Sequence, residues 1–183
     1  MNVNELVKNA YKVGMNQVKE EAKMFAMFLF HNKPINFMEI GTNRGGMFYI
    51  MCNSAMEKGI KISLDLPCDR WGNKFNVEKR NIRMKSWAKN VYVLEGNSSE
   101  PKFKKEVEKI LDGNYLDVLF IDGDHSYEGV RNDFGLYSPF VKTGGYLGFH
   151  DINDTPFHRR QGCFVSKFWN ELEGEKFEFN SFR

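Results

Sequence analysis

Short strand-like runs alternate with helix-like stretches along most of this chain, and that alternation restricts it to β-α-β units around a largely parallel sheet. The runs fall at residues 36–40, 61–65, 91–94, 116–121 and 146–149. Helix-like stretches at 47–57, 99–111 and 126–137 separate them. The run at 116–121, Leu-Asp-Val-Leu-Phe-Ile, is the most apolar and belongs at the centre of the sheet. Crossovers in such a sheet are right-handed, and ligands bind outside the carboxyl ends of the strands, where strand order reverses. The polar residues of this chain gather just after the strand-like runs, where that rule puts a site.

At 183 residues the chain makes one domain, 1–183. Residues 1–33 form an N-terminal helical segment, with one helix expected over 4–30, and 36–183 form the core. A helix is expected at 165–172 and a last strand at 176–179. Gly144–Gly145 reads as a turn. Hydrophobic residues at 42% and charged residues at 27% describe a globular chain. A net charge of +2 gives no strong global field and argues against nucleic acid as the partner. The stretch 66–90 departs from this balance, with seven basic residues against two acidic ones. It reads as a solvated helix face, or as a place where Arg70, Trp71 and Arg83 hold an anionic or sugar substrate. Cys52, Cys68 and Cys163 match no zinc spacing and no disulfide framework. The longest apolar run, 24–30, is far short of the roughly 20 residues that span a bilayer. No signal peptide is visible, and the expected location is cytoplasmic.

Three motifs carry chemistry. In Phe37-Met38-Glu39-Ile40-Gly41-Thr42-Asn43-Arg44-Gly45-Gly46 a strand ends in an acidic residue and glycines lead into a helix. The spacing E-x-G-x-x-x-G is not the dinucleotide pattern, and an acid beside the turn suits a cationic or zwitterionic ligand better than a pyrophosphate. A plain β-α turn would show the same glycines. Asp65 ends the next strand, where an acid can accept hydrogen bonds from both hydroxyls of a ribose, or simply sit in solvent. Gly96-Asn97-Ser98 follows the third strand, and Ser98 or Ser99 is a candidate helix cap. The third motif pairs Asp122-Gly123-Asp124-His125 after the fourth strand with His150-Asp151 after the fifth. Neighbouring strands lie about 4.8 Å apart, so Asp122 and Asp151 can converge on one hard cation with His150 beside them. His125 can reach the same place as a general base, or serve only at the helix start. His158 reads as a loop histidine and His31 as a helix end.

The first motif resembles motif I of class I S-adenosylmethionine-dependent methyltransferases, with Asn43 in place of the middle glycine. The run from Phe120 to Asp151 is similar to the group that includes cephalosporin-hydroxylase-like proteins and macrolide-sugar O-methyltransferases. The likeness extends over about residues 36–173. It implies a Rossmann-like three-layer sandwich with strand order 3-2-1-4-5 plus one C-terminal strand. It implies S-adenosyl-L-methionine held by Glu39, Gly41, Thr42, Asn43, Gly45, Asp65, Leu66, Gly96, Asn97, Ser98 and Asp122. It implies Asp122 and Asp151 as ligands of Mg²⁺ or Mn²⁺ and His125 as base. His150 stands where the macrolide-sugar enzymes carry glutamate.

The expected function is therefore metal-assisted O-methylation of a hydroxyl on a small molecule or sugar. The rivals are a cofactor-binding scaffold without turnover and a metal-dependent hydrolase or nucleotide-sugar enzyme on the same fold. Only one strand is expected after the fifth, which leaves a sheet edge open to association as a homo-oligomer.

Overall fold

The computed structural model describes residues 2–68 and 76–180. Helices α1 (Val3–Val13) and α2 (Lys19–Asn32) precede β1 (Phe37–Ile40). There follow α3 (Gly46–Ser54), β2 (Lys61–Asp65), α4 (Val77–Lys85), β3 (Val91–Glu95) and α5 (Pro101–Leu111). Then come β4 (Leu116–Ile121), α6 (Tyr127–Tyr137), β5 (Val141–Phe149), α7 (Pro156–Arg160) and α8 (Val165–Glu171).

The strands form one sheet in the order β3-β2-β1-β4-β5, and every pairing is parallel. Strand order reverses between β1 and β4, so the carboxyl ends of those two strands flank the expected crevice. Both faces of the sheet are covered, as parallel sheets require. The period-2 alternation of β1 and β4 sends Phe37, Val118 and Phe120 to one core with α1, α2 and α3. It sends Met38, Ile40, Leu119 and Ile121 to the other, with α5, α6 and α8. Each of these side chains is buried, worth about 1.5–3 kcal/mol apiece relative to exposure. Lys61 is also fully buried, and its ammonium donates to the carbonyls of Met56, Glu57 and Gly59 at 3.1, 3.1 and 2.8 Å. It thereby anchors β2 to the turn that follows α3.

Four expectations need correction. The single helix over 4–30 is two helices, because Gly14 adopts φ +117° and its N–H closes α1 onto Ala10 and Tyr11. The apolar spacing is continuous across the break, so periodicity alone does not show it. The helix after the first turn stops at Ser54 rather than 57. Gly144 and Gly145 lie inside β5, which starts at Val141 and pairs with β4 through a register shift between Leu116 and Val118. The strand expected at 176–179 does not form. Its aromatic alternation instead packs Phe177 and Phe179 on Phe28 of α2, with ring centroids 5.4 and 5.9 Å apart. β5 is consequently one edge of the sheet among the described residues, opposite β3. No helix among them is long and apolar enough to cross a membrane.

Candidate active site

Two groups of side chains meet at the carboxyl ends of the strands. The first lies over β1, β2 and β3. Gly41 takes φ +86°, and a Cβ there would stand 2.1 Å from the Asp122 carbonyl oxygen. The residue must be glycine both for its dihedral and for this approach. The contact locks the β1–α3 turn to the end of β4, so the two groups share a wall. Glu39 is 1% exposed, and burial pushes its carboxyl well above the usual range, with Asp122 adding to the rise. Its Oε2 has no hydrogen-bond partner.

Asp65 ends β2 and is also largely buried. Burial raises its carboxyl to about 6 even though Arg80 of α4 donates to Oδ2 at 2.8 Å. The same guanidinium donates to the Asn43 carbonyl at 2.9 Å, tying the β1 turn to the β2 end. Arg80 is thus a buried organiser and not part of a solvated face. Thr42 is buried, and its hydroxyl accepts from Ser63 at 2.8 Å, so its side chain is committed to the sheet. Gly45 precedes α3 and Leu66 stands exposed just past β2. Gly96 turns the chain after β3. Asn97 accepts from the Ser99 N–H at 3.0 Å, and the Ser98 carbonyl accepts from the Tyr137 hydroxyl at 2.7 Å. Neither serine caps α5, which starts at Glu100 and Pro101 without a side-chain cap.

The second group lies over β4 and β5. His125 sits between two carboxylates, with Nε2 3.1 Å from Asp122 Oδ1 and Nδ1 2.9 Å from Asp151 Oδ2. His150 Nδ1 lies 3.2 Å from Asp122 Oδ1 and 3.1 Å from Asp151 Oδ1. The four side chains close a ring of two carboxylates and two imidazoles. Burial alone would lower the His125 imidazole, but hydrogen bonds to Asp122 and Asp151 outweigh it and push it up to about 12. His150 rises as well, chiefly through the negative charge of Asp122 beside it. Burial acts upward on Asp122, yet His150 and His125 bring it down to about 2, and Asp151 also falls well below the carboxylate range. Asp151 holds φ +56°, a left-handed backbone that few residues other than Asp, Asn and glycine tolerate.

The structure therefore brings Asp122, His125, His150 and Asp151 together as expected, with Ser126, not His125, capping α6. It also adds residues that sequence reasoning missed. Gln17, in the link between α1 and α2, donates from Nε2 to Asp122 Oδ2 at 2.7 Å. His158 is not an idle loop histidine. It lies in α7, and its Nε2 is 3.6 Å from Asp151 Oδ1. Thr155 caps that helix and Pro156 opens it, a signal that could have found α7 and turned His158 back toward Asp151. Cys163 Sγ lies 3.9 Å from the Asp151 carbonyl. Arg70 and Trp71 lie outside the described residues. Arg83 donates to the Arg44 carbonyl at 2.8 Å and stacks on Trp87.

A cavity of about 1080 Å³ opens beside His150 and Asp151, walled by aromatic rings that include Phe25, Phe28, Tyr146 and Phe177. The ring of charges suits a cation. Two carboxylate oxygens stand within 3.2 Å of His150 Nδ1, and that buried nitrogen makes no aligned hydrogen bond.

Comparison with known proteins places the chain in a family. The chain is 31% identical over 150 residues to the uncharacterized protein R132 of Acanthamoeba polyphaga mimivirus, covering 81% of this chain and 65% of the relative. The fold is similar to the O-methyltransferase TomG from Streptomyces achromogenes, solved with SAM, at TM-score 0.63 and 15% identity over 96% of this chain and 79% of that one. It is also similar to the MycE methyltransferase of the mycinamycin pathway, solved with Mg, SAH and mycinamycin VI, at TM-score 0.61 and 15% identity over 93% of this chain and 47% of that one. The chain spans 65% and 16% of the lengths of the two curated relatives it matches. Residues 38–152 match the profile of a methyltransferase domain, and the chain belongs to that family.

Proposed function

We propose that the chain transfers a methyl group from S-adenosylmethionine to a hydroxyl oxygen of a small acceptor. The observation that carries this reading is the Asp122–His125–Asp151–His150 ring, joined through the Gly41–Asp122 contact to the turn of β1. When bound, the donor supplies an electrophilic methyl on a sulfonium. Glu39, the 41–45 turn, Asp65 and the 96–98 loop would hold it. Asp65 would accept from a ribose hydroxyl beside the Arg80 guanidinium on Oδ2. Asp122 stands at the junction of the two groups.

His125 is the base on this reading. In the ring both its nitrogens face carboxylates, which keeps it protonated. Asp122, Asp151 and His150 would hold a divalent cation, which would offset the carboxylates and lower the acceptor hydroxyl's pKa. With its two carboxylates so engaged, His125 would be freed of the charges that hold its proton and would take the hydroxyl proton. Alignment of oxygen, methyl carbon and sulfur is the larger contribution, and the shared wall between the two groups supports it. The aromatic walls of the cavity suit an acceptor with an apolar body that presents its hydroxyl to His150 and Asp151.

Release of S-adenosylhomocysteine, followed with a panel of sugar and aromatic hydroxyl acceptors, tests the reading. Turnover with at least one acceptor, lost in His125→Gln with donor binding intact, is the expected result. Turnover that survives His125→Gln would remove His125 from its role.

A further inference from the structure

We propose that His125, Asp151 and Cys163 form a thiol-containing cation site that takes a borderline ion such as Zn²⁺, distinct in donor set from the carboxylate-rich site over Asp122. Ligand atoms of the three residues all lie within 4.8 Å of one another. Tetrahedral zinc with nitrogen, oxygen and sulfur ligands separates its donors by roughly 3.3–3.8 Å. The three groups are thus assembled to within about 1 Å of a coordinating arrangement.

Three further observations support the site. First, the His125 ring is oriented for metal binding. Its Nδ1 faces Asp151 Oδ2 at 2.9 Å, while Nε2 faces Asp122 Oδ1 at 3.1 Å. An ion on Nδ1 would leave the Nε2 hydrogen on Asp122, the carboxylate–histidine–metal relay that fixes tautomer and ring plane in metal sites. Second, His158 brings a further imidazole to the same carboxylate, with Nε2 3.6 Å from Asp151 Oδ1. Third, the sequence around Cys163 is fastened to the site. The Cys163 N–H donates to the His158 carbonyl at 2.9 Å, and the Phe164 N–H donates to the His125 carbonyl at 2.8 Å. The backbone therefore holds the thiol beside the histidine.

Imidazole and thiolate favour Zn²⁺ and its neighbours over Mg²⁺, which prefers oxygen ligands. On binding, the ion takes the place of the Cys163 thiol proton and any proton on His125 Nδ1, and both protons pass to water. Asp151 serves either this site or the one over Asp122, so the two occupancies compete. One consequence rests on the methyltransferase reading: a borderline ion bound here withdraws His125 from proton transfer.

The test is to titrate Co²⁺ into the full, reduced, metal-stripped chain and record its absorption. A thiolate-to-cobalt charge-transfer band in the near ultraviolet is expected at one equivalent. Zn²⁺ should abolish it stoichiometrically, and a roughly 100-fold excess of Mg²⁺ should leave it. The band should vanish in Cys163→Ser and persist in Cys68→Ser. Absence of the band in the unsubstituted chain overturns the proposal without any variant having to fold. A band that Cys163→Ser retains overturns it as well. S-adenosylmethionine binding measured on the same samples separates this outcome from failure of the methyltransferase reading, because the donor site does not use Cys163.

Discussion

On the proposed reading, the donor side and the acceptor side of the crevice are built by different means. Over β1, β2 and β3 each functional position lies within a few residues of its own strand end. Backbone turns and one buried ion pair, Asp65–Arg80, hold that side together. Over β4 and β5 the site is a ring of charged side chains, supplemented from the α1–α2 link and from α7. The first side is positioned by topology, the second by mutual electrostatics. Substitutions on the donor side should cost stability and affinity together, whereas those on the acceptor side should separate chemistry from binding.

The largest expected effect is on the acceptor side. His125→Gln should lower methyl transfer by about 10²–10⁴-fold with donor affinity unchanged, measured by turnover alongside calorimetry. A parallel loss of affinity would erase the distinction. Next, Asp65→Ala removes the partner of a buried guanidinium. It should destabilise the fold by about 3–5 kcal/mol in urea unfolding as well as weaken donor binding. Stability within 0.5 kcal/mol of the parent, roughly the range of ordinary surface changes, would show that Arg80 is satisfied without Asp65.

Gln17→Ala deletes a hydrogen bond to a charged carboxylate and should cost about 1.5–3 kcal/mol, read as a fall in kcat or in stability. The smallest effect is in pH. Burial raises the Asp65 carboxyl to about 6. Because the folded value lies above the unfolded one, the stabilising balance is present below about 3.8 and is lost as pH rises through 6. Ribose recognition needs the ionised form, so donor affinity should run the opposite way and climb between pH 5 and about 7. A flat affinity profile across that interval would mean that Asp65 stays ionised throughout.

The contrast also explains what the sequence disclosed. The strands and the acids after them were legible because alternation and strand ends are local properties, whereas the sheet order was implied by the family resemblance. Asp122, His125, His150 and Asp151 follow two neighbouring strands, so knowing that β4 and β5 pair was enough to bring them together. Gln17 lies 105 residues from Asp122, and no local pattern connects them. Arg80 was hidden in a basic stretch whose other described basic residues are exposed, since charge composition does not reveal which guanidinium turns inward. The C-terminal aromatic alternation misled for a related reason. Side chains at alternate positions can face a helix as readily as a sheet, and Phe177 and Phe179 pack on α2.

The most direct measurement is calorimetric titration of S-adenosylmethionine into the chain and into Asp65→Asn, which keeps the shape of the side chain and removes its charge. Saturable one-to-one binding, weakened at least tenfold in Asp65→Asn, is the result this account predicts. No binding to the unsubstituted chain, with or without Mg²⁺, would contradict it.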